Sequence, residues 1–160
     1  MTIQIGERIP NVTLARMTPD GPADITTDEI FAGRKVVLFA LPGAYTPTCS
    51  QAHLPGYVVH HDAIKGKGVD AIACLSVNDA FVMGAWGEAQ NVGETILMLA
   101  DGNAAFTEAV GLELDLTANQ MGVRSRRYAM VVDDGVVTHL NVEEGGNFEV
   151  SNAETILGLL

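Results

Sequence analysis

The chain has 160 residues, of which 48% are hydrophobic and 18% charged, with a formal net charge of −11. That length suits one domain (residues 1–160) burying roughly 70% of its unfolded surface, and the composition excludes a disordered chain. The negative charge repels phosphate backbones and anionic lipid headgroups, arguing against nucleic-acid or membrane-surface roles, and no apolar run reaches the roughly 20 residues a membrane span needs.

The opening Met1-Thr2-Ile3-Gln4-Ile5-Gly6-Glu7 lacks the basic and apolar regions of a signal peptide, so a cytoplasmic location is expected. Val12 and Leu14 alternate with their neighbours as a short, half-buried strand, and Thr18-Pro19-Asp20-Gly21-Pro22 is dense in turn formers. Residues 25–31 fit either a short strand or one helical turn ending at Gly33. Val36-Val37-Leu38-Phe39-Ala40-Leu41 reads as a buried strand. Thr46 and Pro47 then suit the N-cap and first helical position of a helix running to about Ile64. Pro55-Gly56 should kink that helix, and Lys65-Gly66-Lys67-Gly68 should stop it.

Residues 69–77 form a second buried strand. Asn78 or Asp79 caps a helix with an apolar stripe of Phe81, Val82, Ala85, Trp86 and Ala89. Residues 96–100 are a third short strand, stopped by Asp101-Gly102, and residues 104–110 are helical up to Gly111. Asp133-Asp134-Gly135, between residues 124–132 and 136–140, is the strongest hairpin signal. Ser151-Asn152-Ala153-Glu154 opens like a capping box on a terminal helix. The alternation predicts an α/β fold with a mixed sheet.

The two cysteines, Cys49 and Cys74, form no Cys-x-x-Cys pair, and no Cys/His spacing suits a metal. Thr46 stands where a dithiol oxidoreductase would carry its other cysteine. Cys49 falls in the first helical turn, where unpaired N–H groups and the positive end of the helix dipole favour an anionic sulfur. Thr46, as N-cap, would accept the Cys49 N–H and aim its hydroxyl at the sulfur or a ligand. The bland alternative makes Thr46 only a cap and Cys49 a small buried hydrophobe.

Pro42-Gly43-Ala44-Tyr45-Thr46-Pro47-Thr48-Cys49, followed by His53-Leu54-Pro55-Gly56, resembles the active-site loop of the atypical (type II, or fifth) peroxiredoxins. Val77-Asn78-Asp79-Ala80-Phe81-Val82-Met83 with Trp86, and Arg126-Arg127-Tyr128 through Val142-Glu143, agree with it. The resemblance implies a thioredoxin-like fold, with a mixed central sheet flanked by helices, and thiol-dependent reduction of hydrogen peroxide or alkyl hydroperoxides. It assigns Cys49 as peroxidatic nucleophile, Thr46 as donor and aligner, Pro42 as a shield over the sulfur, and an arginine that matches Arg127. Alternation puts Arg127 on one face with Ala129 and Val131, and Arg126 on the other with Tyr128 and Met130. Arg126 reads as a solvated strand-end charge, with Arg124 in reserve.

Cys74 is either a packed strand residue or a resolving thiol, as in some type II relatives. Others resolve with a cysteine in the stretch that corresponds to Phe148-Glu149-Val150-Ser151, where this chain has none. The resemblance therefore favours a one-cysteine cycle, with no bound cofactor or metal, glutathione as co-substrate, glutaredoxin as a further reductant, and a homodimer. His53, one turn after Cys49, reads as an ordinary helix residue in preference to a lining of the pocket mouth, His60 and His61 as solvated surface, and Trp86 and Met83 as core in preference to the rim of an apolar substrate funnel. The rivals are a peroxide sensor that oxidises at Cys49 and signals to a partner protein and, less favoured, a cysteine hydrolase.

Overall fold

In the computed structural model, which describes residues 1–160, the apolar run at residues 36–41 becomes β3 (Lys35–Ala40), an interior strand of a seven-stranded sheet. Residues 36–41 are wholly buried, and a strand with no polar side has to be covered on both faces. β4 (Ala71–Ser76) lies parallel beside it, and β5 (Leu97–Ala100) parallel beside β4. α2 (Leu54–Lys65) and α3 (Ala80–Ala89) make the two crossovers. Antiparallel strands complete both edges: β1 (Thr13–Thr18) and β2 (Gly21–Thr26) on one side, β8 (Tyr128–Asp133) and β9 (Val136–Val142) on the other. The order is β2-β1-β5-β4-β3-β8-β9, a thioredoxin-like α/β arrangement with a mixed sheet flanked by helices.

The two-residue period of the strands sorts the core into two layers. Val37, Phe39, Cys74, Ala129 and Val131 pack with Leu54 and Tyr57 of α2, Met83 and Trp86 of α3, and Ile156 of α5 (Ala153–Leu157). Val36, Leu38, Leu75, Tyr128 and Met130 face the other way, onto α1 (Thr27–Phe31) and α4 (Ala105–Ala109). The hairpin forms at Asp134-Gly135, both at positive φ (48° and 79°) as a primed turn requires.

Several expectations need correction. Residues 25–31 are both strand and helix: β2 ends at Thr26, whose side chain then caps α1 in a capping box with Glu29. The terminal helix is capped by Asn152, which accepts the Thr155 N–H, while the Ser151 hydroxyl donates to Glu143. β6 (Glu113–Leu116) and β7 (Gly122–Ser125) form a separate hairpin that short, half-polar strands conceal in the sequence. On α3, Ala80, Met83, Trp86 and Gly87 are buried, whereas Phe81 is 67% exposed and Ala85 and Ala89 face out. The helix has rolled onto its thin side: a Cβ on Gly84 would lie 2.7 Å from the Met17 Cβ of β1. Counting apolar side chains finds the greasiest face, but the closest packing uses the glycines.

The expected kink at Pro55 appears one turn earlier as a π-helical turn, Cys49–His53, leading into α2. The Leu54 N–H donates to the Cys49 carbonyl five residues back. Widening this turn relieves the clash between the Pro55 ring and the carbonyl four residues before it, where no N–H is available to pair.

Candidate active site

The end of β3 delivers the chain into a loop, residues 42–46, and then into the turn that carries Cys49. Three side chains fix that loop and turn from outside. Asn78 Oδ1, just beyond β4, accepts the Ala44 N–H at 3.0 Å and the Ser76 hydroxyl at 2.6 Å. Arg124 of β7 donates from Nη1 to the Pro42 carbonyl (3.4 Å) and from Nε to the Met121 carbonyl (2.9 Å). A Cβ at position 43 would lie 2.9 Å from Arg124 Nη1 and would push that side chain off its contact with the loop. Trp86 donates from its indole N–H to the Ser50 hydroxyl at 3.1 Å, tying α3 to the residue after Cys49. Pro42 is half-buried at the head of the loop.

Thr46 does not cap as expected. Its hydroxyl donates to the Gly43 carbonyl at 2.7 Å, while its own carbonyl accepts the Ser50 N–H at 2.9 Å. The tight turn before it, with Tyr45 at φ 64°, brings the Gly43 carbonyl within reach. The Thr46 proton is therefore committed, and the oxygen keeps lone pairs for accepting.

Cys49 has no solvent exposure. Arg127, just before β8, places Nη2 at 3.1 Å from Cys49 Sγ and Nη1 at 2.8 Å from His53 Nδ1. A guanidinium only donates, so Nδ1 accepts and the ring's proton sits on Nε2, which donates to the Ser151 carbonyl at 3.1 Å. Burial, then the neighbouring guanidinium, drives His53 down from its ordinary 6.5 to about 3, so the imidazole is neutral. No carboxylate lies within 4.0 Å of Arg127. Its two partners are thus a neutral nitrogen and the sulfur, and its charge remains available to an anion on Cys49.

The other arginines divide as follows. Arg126 reaches across to the Glu143 carbonyl at 3.4 Å rather than standing solvated, and Arg124 is the loop latch described above. The strand alternation had separated them: Ala129 and Val131 lie in the layer with Cys49, Tyr128 and Met130 in the other. Cys74 is fully buried in β4, paired with Phe39 and Met98, and both cysteines are free thiols. Burial pushes its thiol well above the ordinary range, and the nearby Cys49 adds to that.

Two residues have a larger part in the structure than the sequence reading gives them. His53 is not an ordinary helix residue: it is fully buried, wedged between Arg127 and Ser151, with Phe148 edge-on at 4.9 Å. Its position one turn after Cys49 favours the alternative in which it lines the pocket. Glu143 is 3% exposed and binds the chain at residues 149–151. Of the remaining histidines, His60 lies 3.6 Å from Glu154 and His61 3.1 Å from Asp62.

A thioredoxin-like sheet that holds one cysteine in a helical turn against an unneutralised guanidinium defines a thiol-based redox protein. Comparison with known proteins agrees. The family profile described as Redoxin matches residues 4–157. The chain is 54% identical over 164 residues to peroxiredoxin-2E-2, chloroplastic, of Oryza sativa subsp. japonica, covering 99% of this chain and 73% of that protein. It is 45% identical to peroxiredoxin-2D of Arabidopsis thaliana, covering 99% and 98%. The solved structure of reduced Prx3 in complex with hydrogen peroxide from Vibrio vulnificus superposes with a TM-score of 0.95 at 63% identity, covering 99% of each chain. The chain belongs to the peroxiredoxins, in their type II branch, and is a thiol peroxidase. No helix is long and apolar enough to cross a membrane.

Proposed function

We propose that this protein reduces hydrogen peroxide and alkyl hydroperoxides through a sulfenic acid at Cys49 and is regenerated by glutathione, with glutaredoxin as a further reductant, in the cytoplasm and as a homodimer. The observation that carries the reading is the 3.1 Å contact between Arg127 Nη2 and Cys49 Sγ.

The Cys49 thiolate attacks one peroxide oxygen. An S–O bond forms as the O–O bond breaks, the sulfur is oxidised by two electrons, and the departing oxygen leaves as an alkoxide or hydroxide that takes up a proton. Negative charge thus moves from the sulfur to the leaving oxygen, and a fixed guanidinium beside both stabilises it throughout. Thr46, its proton spent on Gly43, accepts the peroxide O–H and sets the O–O axis in line with the sulfur. This reverses the donor role expected from the sequence. Pro42 shields the sulfur from bulk water. The relative solved with hydrogen peroxide, 63% identical to this chain, supports the substrate class.

Regeneration follows from what surrounds the second thiol. Cys74 lies in an interior strand, between β3 and β5, and cannot leave without breaking the sheet. The chain has no third cysteine. An outside thiol therefore condenses with the sulfenic acid, releasing water, and a second thiol exchanges to free Cys49. Cys49 is buried, so the π-helical turn has to open for a tripeptide to reach it. Exposed Tyr45 and Phe81, on the active-site loop and the first turn of α3, support the homodimer.

Trp86, the chain's single tryptophan, is bonded to Ser50 and reports on the site. Stopped-flow mixing with one equivalent of hydrogen peroxide should quench or enhance its fluorescence far faster than a free thiol reacts. Mass spectrometry should then show a glutathione adduct on Cys49 when glutathione is present. A free-thiol rate would leave only the sensor reading, and a Cys49–Cys74 disulfide would overturn the one-cysteine cycle.

A further inference from the structure

We propose that Glu143 is a positioning residue for peroxide reduction: its carboxylate ties down residues 149–151 as a strap that holds His53, and through His53 holds Arg127 against the Cys49 sulfur. This rests on the reading that the Arg127–Cys49 contact drives the chemistry.

The carboxylate is held as tightly as any group in the molecule. It accepts the Glu149 N–H on both oxygens (3.0 and 2.9 Å), the Val150 N–H (2.9 Å), the Ser151 N–H (2.7 Å) and the Ser151 hydroxyl (2.6 Å). Three successive backbone N–H groups aimed at one anion form a nest. Burial pushes Glu143 up, but the Ser151 hydroxyl and the three N–H groups outweigh it and hold the acid below its ordinary 4.5. It is ionised at neutral pH.

The strap and the residue before it both touch the site. The Ser151 carbonyl accepts both the His53 Nε2–H and, at 2.7 Å, the Tyr57 hydroxyl. Phe148 packs against the His53 ring in an edge-to-face arrangement, and the Arg127 guanidinium carbon lies 5.7 Å from the Phe148 ring centre. His53 in turn offers Nδ1 to Arg127, and no carboxylate takes over that orienting task. The anchor lies beside what it positions, because the Glu143 N–H donates to the Arg127 carbonyl at 2.9 Å. Between anchor and strap run exposed residues 144–147, two of them glycines. Such a segment does not set the strap's position by itself.

The test is Glu143→Gln in the full chain, which keeps the shape but turns an amide NH₂ toward N–H donors. The second-order rate with hydrogen peroxide, read from Trp86, should fall roughly ten- to a hundredfold. The rate at which iodoacetamide alkylates Cys49 at neutral pH, mapped by mass spectrometry, should fall with it. His53→Gln should do the same, and the double variant should lose no more than the worse single one, as groups acting in series do. Ser151→Ala removes one donor and should lower both rates by less, which decides the matter if Glu143→Gln fails to fold. Unchanged peroxide and alkylation rates, or a double variant whose losses multiply, would overturn the proposal. Arg127→Met separates the two ideas. If it leaves both rates unchanged, the reading of the site fails; if it lowers them and Glu143→Gln does not, only the strap fails.

Discussion

Cys49 and Cys74 share an apolar cluster and are equally hidden from solvent, yet their surroundings differ in one respect that decides their chemistry. Cys74 lies between Phe39 and Met98 in mid-sheet, and there burial drives its thiol up, away from the reactive form. Cys49 lies at the start of a helical turn with a guanidinium at 3.1 Å that has no carboxylate partner. Desolvation strengthens whatever electrostatics a site contains. Without a cation it silences a thiol; with one held in place it strengthens the attraction between the guanidinium and any negative charge that develops on the sulfur.

The comparison breaks most completely at Arg127. Arg127→Met should turn Cys49 into a second Cys74, lowering its rate with hydrogen peroxide by about 10²–10³-fold, the usual loss of one preorganised charge-stabilising donor. Alkylation by iodoacetamide at neutral pH, mapped by mass spectrometry, should then label the two cysteines equally slowly. Arg127→Lys should recover only part of the rate, because one ammonium cannot span both the sulfur and His53 Nδ1 as the guanidinium fork does. A full-rate Arg127→Met protein would mean that the helical turn alone activates the sulfur.

Acid should erode the same difference from the His53 side. His53 takes up its proton only near pH 3 in the fold but near its ordinary 6.5 in the unfolded chain. Between those values the unfolded chain binds the extra proton, so stability falls as pH drops from about 6.5 toward 3, by up to about 1.4 kcal/mol per unit. Below about 3 both states are protonated and the loss stops. Glu143 adds to it in the same direction: its contribution, complete above its ordinary value, is lost as pH falls through its lower folded value. Urea midpoints at pH 7, 6, 5 and 4 should decline, and His53→Gln should flatten that slope. An equal slope in the variant would mean that His53 is not held neutral.

What the sequence disclosed, and what it hid, follows from the range of the forces. The strand at residues 36–41, the turn at Asp134-Gly135 and the side of the sheet to which Arg127 belongs are set by local period and turn chemistry, and they are legible. The direction of the Thr46 hydrogen bond is not, because it depends on how tightly the loop curls back to Gly43. His53 is hidden for a different reason: its partners Arg127 and Ser151 lie 74 and 98 residues away, and only the closed fold turns a helix histidine into a buried, neutral link. Glu143 sits only six to eight residues from the strap it binds, and the resemblance includes Val142-Glu143 without giving its carboxylate a task, because that task appears only when the chain folds back at residues 149–151. Roll about the α3 axis was set by two glycines that a count of hydrophobic residues passes over.

The smallest expected effect separates reactivity from packing. Cys74→Ser replaces a weak donor by a hydroxyl in the middle of a sheet where strand pairing already engages the backbone on both sides. An unpaired buried hydroxyl costs about 1–3 kcal/mol, so the urea midpoint should fall while the slope of the transition stays the same. Glutathione-supported turnover should remain at the level of the parent protein, because in the proposed cycle this sulfur gives no electrons to the peroxide. Cys49→Ser should do the reverse, abolishing turnover with a smaller change in stability, since its oxygen still has the Arg127 donor at hand. If Cys74→Ser instead lost turnover while keeping its fold, the quiet thiol would be the resolving one, and the sheet would have to open in every cycle to deliver it.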